Sequence, residues 1–232
     1  MAGLDFDRFD VLTFDCYGTL IDWETGLLAA LRPVLERAGV EASDEELLEL
    51  YAKYEAELEA GPYLCYREVL AEALRRIGEE LGLVPSPAEA ESFSGSVKDW
   101  PAFGDSAAAL QRLQERFRLG VITNCDGDLF AASAERLGVD FDWVITAEEC
   151  RSYKPSHNNF EVAFERIGVP PERILHVAQS LFHDHVPAKE IGLASVWINR
   201  REGRPGAGAT PPAEATPDLT FPDMRSFAEA AA

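Results

Sequence analysis

The sequence predicts an α/β protein in which a parallel sheet core carries an inserted helical unit. Short apolar runs rich in β-branched residues occur at 11–14 and again after residue 118, where they alternate with helical patterns. Between these regions lies a long stretch with helical periodicity and no strand pattern. The alternation favours a Rossmann-like parallel sheet. The interruption indicates a second unit inserted after the first strand.

The helical insertion is predicted over residues 21–100, which leaves 1–20 and 101–232 to form the core. Its helical patterns cover 25–38, 44–59, 66–81 and, more weakly, 88–96. Ser43, with Glu46 three residues later, is typical of a helix N-terminus. Acidic residues are concentrated in 41–59, and we interpret them as a solvated helix face.

The core is predicted to continue as alternating helices and strands. The helices cover 106–116, 129–137, 158–167, 186–191 and 224–231, and the strands cover 119–124, 143–145, 174–178, 195–198 and 219–221. Residues 203–217 are rich in Gly, Ala and Pro and are interpreted as a surface loop.

Composition narrows the class of protein. With 232 residues and 47% hydrophobic content, the chain can bury a large core. No apolar run approaches the roughly 18 residues of a membrane span, and the N-terminus lacks a signal peptide. We therefore expect a cytoplasmic protein that binds no membrane. The four cysteines are dispersed, which predicts free thiols and neither a disulfide framework nor a zinc site.

The formal net charge of −20 argues against binding to nucleic acid, because no basic patch is available for phosphates. The same charge repels anionic small molecules at long range. Such a substrate would have to be held by a local cluster of backbone amides and a few cations. Composition leaves a homodimer open.

One aspartate is placed where open α/β sheets bind ligands. Asp15 directly follows the apolar run 11–14, and Gly18 three residues later permits a tight turn. Backbone amides in such a turn can face an anion. A turn or helix N-cap role for an aspartate at this point is the alternative.

Three further polar segments follow predicted strands or lie beside them. Thr123 and Asn124 end the second strand, and Lys154 precedes Pro155. Lysine is scarce and occurs only four times, so a role for Lys154 as an ordinary surface residue is less favoured. Asp184 follows the strand 174–178 within a polar loop.

These segments together resemble the motifs of the haloacid dehalogenase superfamily. In that superfamily an aspartate at the position of Asp15 attacks the substrate and forms an ester, and the helical insertion corresponds to a cap. Phosphatases of the superfamily carry a second Asp two residues later as a general acid. This chain has Tyr17 there, and a phenol is a poor acid at neutral pH. The pattern is similar to the L-2-haloacid dehalogenase (type II) branch, whose halide needs no proton and whose reaction needs no metal.

The resemblance implies a set of site residues. Those expected to be catalytic are Asp15, Thr19, Lys154 and Asp184, and those expected to bind substrate are Cys16, Tyr17, Thr123, Asn124 and Ser180. No metal or other cofactor is expected, and a small anionic organic acid is the expected substrate. Magnesium would be required only by a phosphatase.

The chain also departs from the dehalogenase pattern. Gln179 and Leu181 stand where the branch has a Ser-x-Asn arrangement, and Phe160 replaces a tyrosine six residues after the lysine. The cap arginine that receives halide has no clear match. The cations considered for this role are Arg32, Arg37, Lys53 and Arg67, and the aromatic residues considered for a pocket wall are Tyr17, Trp23, Tyr63, Tyr66 and Trp100.

The sequence therefore predicts hydrolytic dehalogenation of short 2-haloacids through an aspartyl ester at Asp15. Two alternatives stay open because of the departures. One is a magnesium-dependent phosphatase that uses Asp15 and Asp184, and the other is a catalytically silent member that acts by binding. A metal site at His183 and His185 is disfavoured, because adjacent histidines diverge.

Overall fold

The chain forms a single six-stranded parallel sheet, which the computed structural model describes over residues 4–204, 206 and 208–232. The strands are β1 (Val11–Phe14), β2 (Arg118–Thr123), β3 (Trp143–Thr146), β4 (Ile174–Ala178), β5 (Ala194–Ile198) and β6 (Leu219–Phe221). Their order across the sheet is β3-β2-β1-β4-β5-β6. This is the strand order of doubly wound Rossmann folds, so the predicted fold class is confirmed.

The first strand is central, and both of its faces are buried. Every residue of β1 is buried, and the strand lies between β2 and β4, with Val11 in register with Arg118 and Ile174. The carboxyl ends of these three strands therefore meet at one edge of the sheet. Asp15 follows β1 at this edge.

Ten α-helices surround the sheet or lie in the insertion, counted over the described residues. They are α1 (Trp23–Ala38), α2 (Asp44–Glu59), α3 (Tyr66–Leu81), α4 (Pro87–Ser94), α5 (Ser106–Leu113), α6 (Gly127–Leu137), α7 (Ala147–Cys150), α8 (His157–Ile167), α9 (Val186–Glu190) and α10 (Met224–Ala231). The short helix α7 was not predicted, because four residues are too few to reveal helical periodicity. None of the helices in the described part of the chain is long and apolar enough to cross a membrane.

Local sequence signals determine where the insertion helices begin and end. The hydroxyl of Ser43 accepts a hydrogen bond from the Glu46 amide at 3.2 Å, which confirms the predicted N-cap of α2. Helices α1 and α3 end at Gly39 and Gly82, which adopt the left-handed conformation with φ values of 66° and 73°.

The insertion leaves and rejoins the core at one place. Ile21 and Ala102 form an antiparallel bridge, so the two ends of the segment that contains α1–α4 lie side by side. Tyr17 packs edge-on against Trp100 at this junction, with 5.5 Å between ring centroids. The division of the chain at residues 21 and 100 stays a prediction.

The segment 203–217 only partly matches its interpretation as a surface loop. Residues 205 and 207 lie outside the described residues, but Ala209 and Thr210 are buried. The Ala209 amide donates to Oε1 of Glu24 at 3.1 Å, which ties the segment to α1. Composition could not predict this, because the burial arises from contact with a distant helix.

Candidate active site

The carboxylate of Asp15 is held by two donors from different parts of the chain. Its Oδ2 atom accepts a hydrogen bond from the Thr19 hydroxyl at 2.6 Å, and its Oδ1 atom accepts one from Nζ of Lys154 at 2.9 Å. Gly18 enables the intervening turn with a φ of 93°, a value that a residue with a Cβ rarely adopts. The turn therefore presents Asp15 at the sheet edge in a fixed orientation.

Lys154 lies between two carboxylates. Its ammonium donates to Oδ1 of Asp15 at 2.9 Å, to Oδ1 of Asp184 at 2.6 Å and to the carbonyl of Ile122 at 2.9 Å. All three ammonium hydrogens thus have acceptors. The side chain is only 1% exposed, so these bonds fix its position.

Burial and charge shift the pKa values of these groups in different directions. Burial lowers the pKa of Lys154, but the Asp15 and Asp184 carboxylates outweigh burial and raise it. Burial likewise opposes ionisation of Asp184, yet Lys154 and His176 lower its pKa below the ordinary value. The pKa of Asp15 is raised, because burial outweighs the attraction of Lys154. The ammonium therefore stays charged and offsets part of the negative charge of the two aspartates.

A histidine that lacked an identifiable partner in the sequence positions Asp184. His176 lies in β4, and its Nε2 atom is 2.9 Å from Oδ1 of Asp184. Its Nδ1 atom is 2.9 Å from the hydroxyl of Thr13, its register partner on β1. Asp184 itself lies in a π-helical turn over Leu181–His185, a wide turn that often occurs at functional sites.

Asn124 connects three segments of the chain. Its Oδ1 atom accepts the backbone amide of Lys154 at 2.7 Å, and its Nδ2 atom donates to the Lys154 carbonyl at 3.0 Å. Nδ2 also donates to Oε2 of Glu59 on α2 at 3.1 Å. The amide group expected to bind substrate therefore also holds the Lys154 segment against the end of β2 and against the insertion.

These elements enclose a small cavity of about 30 Å³. Its walls come from both the core and the insertion: Asp15, Tyr17, Trp23, Glu55, Glu59, Tyr66, Asn124, Lys154, Ser180, His183 and Thr210. Five of the residues predicted for the site are among them. The other four do not line the cavity: Cys16, Thr19, Thr123 and Asp184. Each is buried and is either a sequence neighbour of a wall residue or hydrogen-bonded to one.

Tyr17 does not supply a general acid to the site. Its hydroxyl is 3.1 Å from the Ser133 hydroxyl. Burial raises the pKa of Tyr17 well above the ordinary value for a phenol. Proton donation to a leaving group at neutral pH therefore cannot come from the position that carries the general acid in phosphatases.

The insertion contributes two buried carboxyl groups that sequence reasoning assigned to a solvated helix face. That interpretation is wrong for Glu55 and Glu59: the Glu55 residue is 3% exposed, and the Glu59 side chain is 5% exposed. Both line the cavity. A signal was present, because they continue the buried stripe of α2 after Leu48 and Tyr51 at helical spacing.

The two acidic groups have different surroundings. Oε1 of Glu55 accepts hydrogen bonds from Tyr51 and Tyr66 at 2.7 and 2.8 Å. Burial nevertheless raises the pKa of Glu55 to about 7. Burial and the nearby Glu55 charge raise the pKa of Glu59 further above its ordinary value.

None of the cations considered for halide binding lies in the cavity wall. Each pairs with a carboxylate elsewhere, in the pairs Arg32–Asp44, Arg37–Glu89, Lys53–Glu80 and Arg67–Asp128. Of the aromatic residues considered, Tyr17, Trp23 and Tyr66 line the cavity, while Tyr63 and Trp100 do not. Within the described residues, Lys154 is thus the only Lys or Arg side chain in the wall.

Sequence reasoning also missed His183 and Thr210 as cavity residues. The imidazole of His183 is almost fully buried, and burial lowers its pKa to about 4, so it is neutral at pH 7. Its Nδ1 atom is 3.2 Å from the Ser180 hydroxyl, while Nε2 has no hydrogen-bond partner among the described residues. No pattern in the sequence distinguishes this histidine from its neighbours.

The fold and the buried arrangement of Asp15, Lys154 and Asp184 define a hydrolase with a Rossmann-like core. The family model for haloacid dehalogenase-like hydrolases matches residues 9–181. The chain belongs to this family.

The names of individual relatives state different activities. An (S)-2-haloacid dehalogenase of Pseudomonas putida is 27% identical over 201 residues, which cover 83% of this chain and 85% of that protein. A phosphoserine phosphatase of Thermus thermophilus is 31% identical over 171 residues, which cover 72% of this chain and 64% of that protein. The structure of an L-2-haloacid dehalogenase from Xanthobacter autotrophicus has a TM-score of 0.78 at 22% identity, and the match covers 95% of this chain and 97% of that one. That structural likeness extends over nearly the whole fold.

Proposed function

We propose that the chain hydrolyses a carbon–halogen bond of a small 2-halogenated acid. An Asp15 oxygen attacks the carbon that carries the halogen, and the bonding electron pair leaves with the halide. This step forms an ester between Asp15 and the substrate and inverts the carbon centre. Water then attacks the Asp15 carboxyl carbon; one of its protons passes to the departing oxygen, which leaves as the hydroxyl of the 2-hydroxy acid, and the other is released to solvent as the Asp15 carboxylate is regenerated.

One observation carries the proposal: Asp15 is held in a fixed orientation, while Tyr17 supplies no general acid. Asp15 is oriented by Thr19 and Lys154. The buried phenol of Tyr17 has a raised pKa, so it cannot protonate an alcohol leaving group. Halide needs no proton to depart, and this difference favours cleavage of a carbon–halogen bond over cleavage of a phosphate ester.

Lys154 and Asp184 are proposed to act in the second step. When the ester forms, the charge of Asp15 is lost, and the Lys154 ammonium stays bonded to Asp184. Oδ2 of Asp184 is buried and has no hydrogen-bond partner among the described residues. We propose that this oxygen accepts a hydrogen bond from the attacking water once the ester has formed and the site has rearranged, while Lys154 stabilises the charge that develops at the ester.

The relatives support the same reaction. Proteins named (S)-2-haloacid dehalogenase and haloacetate dehalogenase align with most of this chain at 27% identity. The cavity of about 30 Å³ holds only water-sized molecules. We expect the insertion to move relative to the core when a haloacid enters, and its return would exclude bulk water.

A magnesium-dependent phosphatase is the second candidate, favoured by the likeness to phosphoserine phosphatase. Mg²⁺ requires oxygen ligands in near-octahedral geometry. The place between Asp15 and Asp184 is taken by the Lys154 ammonium, and both oxygens of Asp15 already accept hydrogen bonds. Gln179 and Ser180, near Asp184, carry no charge. These residues do not fit the ion, so we propose a reaction that needs no cofactor.

One paired assay tests the proposal. Halide release from 2-chloropropionate and phosphate release from p-nitrophenyl phosphate are measured with added magnesium and with EDTA. We expect halide release that EDTA does not reduce. Phosphate release that requires magnesium would select the phosphatase instead, and no product in either assay would favour a member that acts only by binding.

A further inference from the structure

The cavity above Asp15 contains more carboxyl groups than one ammonium can neutralise. Asp15 and Asp184 share Lys154, and Glu55 and Glu59 project into the same space from α2. No arginine lines the walls formed by the described residues. A purely anionic substrate would therefore enter a space that offers it one ammonium group among several carboxyl groups.

Glu59 has an acceptor that the protein leaves unused. Its Oε2 atom accepts from Asn124 at 3.1 Å and lies 3.7 Å from Nε2 of His183. Oε1 is buried and has no hydrogen-bond partner in the described part of the chain. A buried oxygen without a donor is costly, so a ligand that brings a donor to this point would be stabilised.

His183 provides a second, independent indication of a ligand. Its Nε2 atom is also buried and has no hydrogen-bond partner among the described residues, and the side chain lines the cavity. The neutral imidazole accepts a hydrogen bond at one ring nitrogen and donates at the other. Two buried polar atoms without hydrogen-bond partners thus belong to residues that line one small space next to Asp15.

We infer that Glu59, assisted by Glu55, binds a protonated amine of the substrate, so that the preferred substrate is a halogenated acid that also carries an ammonium group. The inference rests on the proposed dehalogenation and names its substrate class. An ammonium has three donors, which can satisfy Oε1 of Glu59 and further acceptors of the wall. Its charge supplies the counter-ion that the insertion lacks.

The pKa values give the inference a pH signature. In the free protein, burial raises the pKa of Glu59 and brings that of Glu55 to about 7. The groups that face this pair are Tyr51, Tyr66, Asn124, His183, Lys154 and Asp15. A bound ammonium favours the ionised carboxylates, so its binding releases a proton and strengthens as pH rises from 6 to about 8. A protonated Glu59 that bound an anion would show the opposite dependence.

Two product analogues of equal size test the inference by binding alone. Isoserine carries an ammonium group where 2-hydroxybutyrate carries a methyl group. The dissociation constants of both are measured by calorimetry with the intact protein. We expect the dissociation constant of isoserine to be lower by roughly thirtyfold or more. This is the size of the loss in affinity when one partner of a buried charge pair is removed. Glu59→Gln should remove this preference, and Glu55→Gln should reduce it, which provides a second variant if the first does not fold. Glu49→Gln, at an exposed position of the same helix, should retain it.

Turnover separates this inference from the proposed function. Halide release is compared between 3-amino-2-chloropropionate and 2-chlorobutyrate, which differ in the same two groups. Release from the chlorobutyrate at an equal or higher rate would overturn the ammonium site and leave dehalogenation standing. Release from neither, with isoserine still preferred in binding, would overturn dehalogenation and leave the ammonium site. Equal binding of the two hydroxy acids, or no binding of isoserine, would overturn the site.

Discussion

Nζ of Lys154 lies 2.9 Å from Oδ1 of Asp15, and both side chains are almost completely buried. A buried ion pair is costly to assemble, because both charges leave water. Here the ammonium also contacts Asp184 and a backbone carbonyl, which spreads its charge over several acceptors. The Lys154 charge opposes the rise in the pKa of Asp15 that burial causes.

Replacement of the nucleophile should abolish turnover. Asp15→Asn removes the charged oxygen and very little volume, so we expect no halide release above background from a protein with an unchanged circular dichroism spectrum. Asp140→Asn, at an exposed position, is the matched control and should retain activity. Mass spectrometry must exclude deamidation of the Asp15→Asn variant back to the parent. Full activity of this variant with its new amide intact would end the covalent mechanism.

The oxygen in the product should come from Asp15 in a single turnover. With enzyme in excess over 2-chloropropionate in oxygen-18 water, we expect unlabelled lactate and a labelled peptide that contains Asp15. The reason is that water attacks the carboxyl carbon of the ester and not the substrate carbon. Mass spectrometry of both species provides the measurement. Label that reaches lactate in the first turnover would indicate direct attack by water.

Removal of the Lys154 ammonium should slow catalysis by about a hundredfold or more, because it stabilises charge at the reacting centre. Lys154→Met also leaves Asp15 and Asp184 unpaired, which costs on the order of 3–5 kcal/mol of stability. The measurements are kcat for halide release and the free energy of unfolding in urea. Lys189→Met, at an exposed position of α9, is the control and should change neither.

A second substitution separates folding from catalysis at Lys154. In the double variant with Asp184→Asn, one of the two unpaired carboxylates is removed, so we expect part of the lost stability to return. Activity should stay low, because no ammonium faces Asp15 and the Asp184 carboxylate is also lost; the Asp184→Asn single variant measures the share that is due to Asp184. Near-normal kcat in the well-folded double variant would reduce Lys154 to a structural residue.

Tyr17→Asp should introduce weak phosphatase activity. The new carboxyl group supplies a general acid and an additional oxygen ligand for magnesium. Gln179 and Ser180 would still hold the ion poorly, so only slow, magnesium-dependent hydrolysis of p-nitrophenyl phosphate is expected. Tyr17→Phe, which removes the hydroxyl without adding a carboxylate, should show none. Strong magnesium-dependent activity of the unaltered protein would contradict the role given to Tyr17.

Glu55 should make the protein less stable as pH rises. Burial raises its pKa from 4.5 to about 7 in the folded state. The folded state therefore binds the proton more tightly than the unfolded state, and the associated stability is present below pH 4.5 and lost as pH rises to about 7. The loss is on the order of 3 kcal/mol.

Thermal unfolding of Glu55→Gln measures this contribution. The variant cannot ionise at this position, so its Tm should fall less than that of the parent between pH 5 and about 8. Glu49→Gln on the same helix should follow the parent. Parallel Tm profiles of the parent and Glu55→Gln would show that Glu55 does not titrate in this range.

The elements of the fold could largely be predicted because their signals are local. The apolar run of β1 and the helical periodicity of α2 and α3 yielded bounds identical to those observed. Helix α7 escaped prediction because it is a single turn. The strand order follows from parallel pairing of β1 with both β2 and β4, and this pairing is a property of the assembled sheet.

The sequence by itself determined the sheet class and the position of Asp15 at a strand end. It also determined that Tyr17 stands two residues later, where a second aspartate would supply a general acid. These properties depend on which residues follow one another along the chain. Only the tertiary structure decided that Lys154 bonds to both aspartates, that His176 orients Asp184 and that the considered cations pair elsewhere.

The tertiary structure also reversed the interpretation of the acidic helix. Glu55 and Glu59 are chemically identical to their solvated neighbours on α2. They are buried because this face of α2 closes over the carboxyl edge of the sheet, where Tyr66 and Asn124 provide their hydrogen bonds. Helical spacing places both residues on the same stripe as Leu48 and Tyr51, but only the tertiary structure decides which surface that stripe packs against.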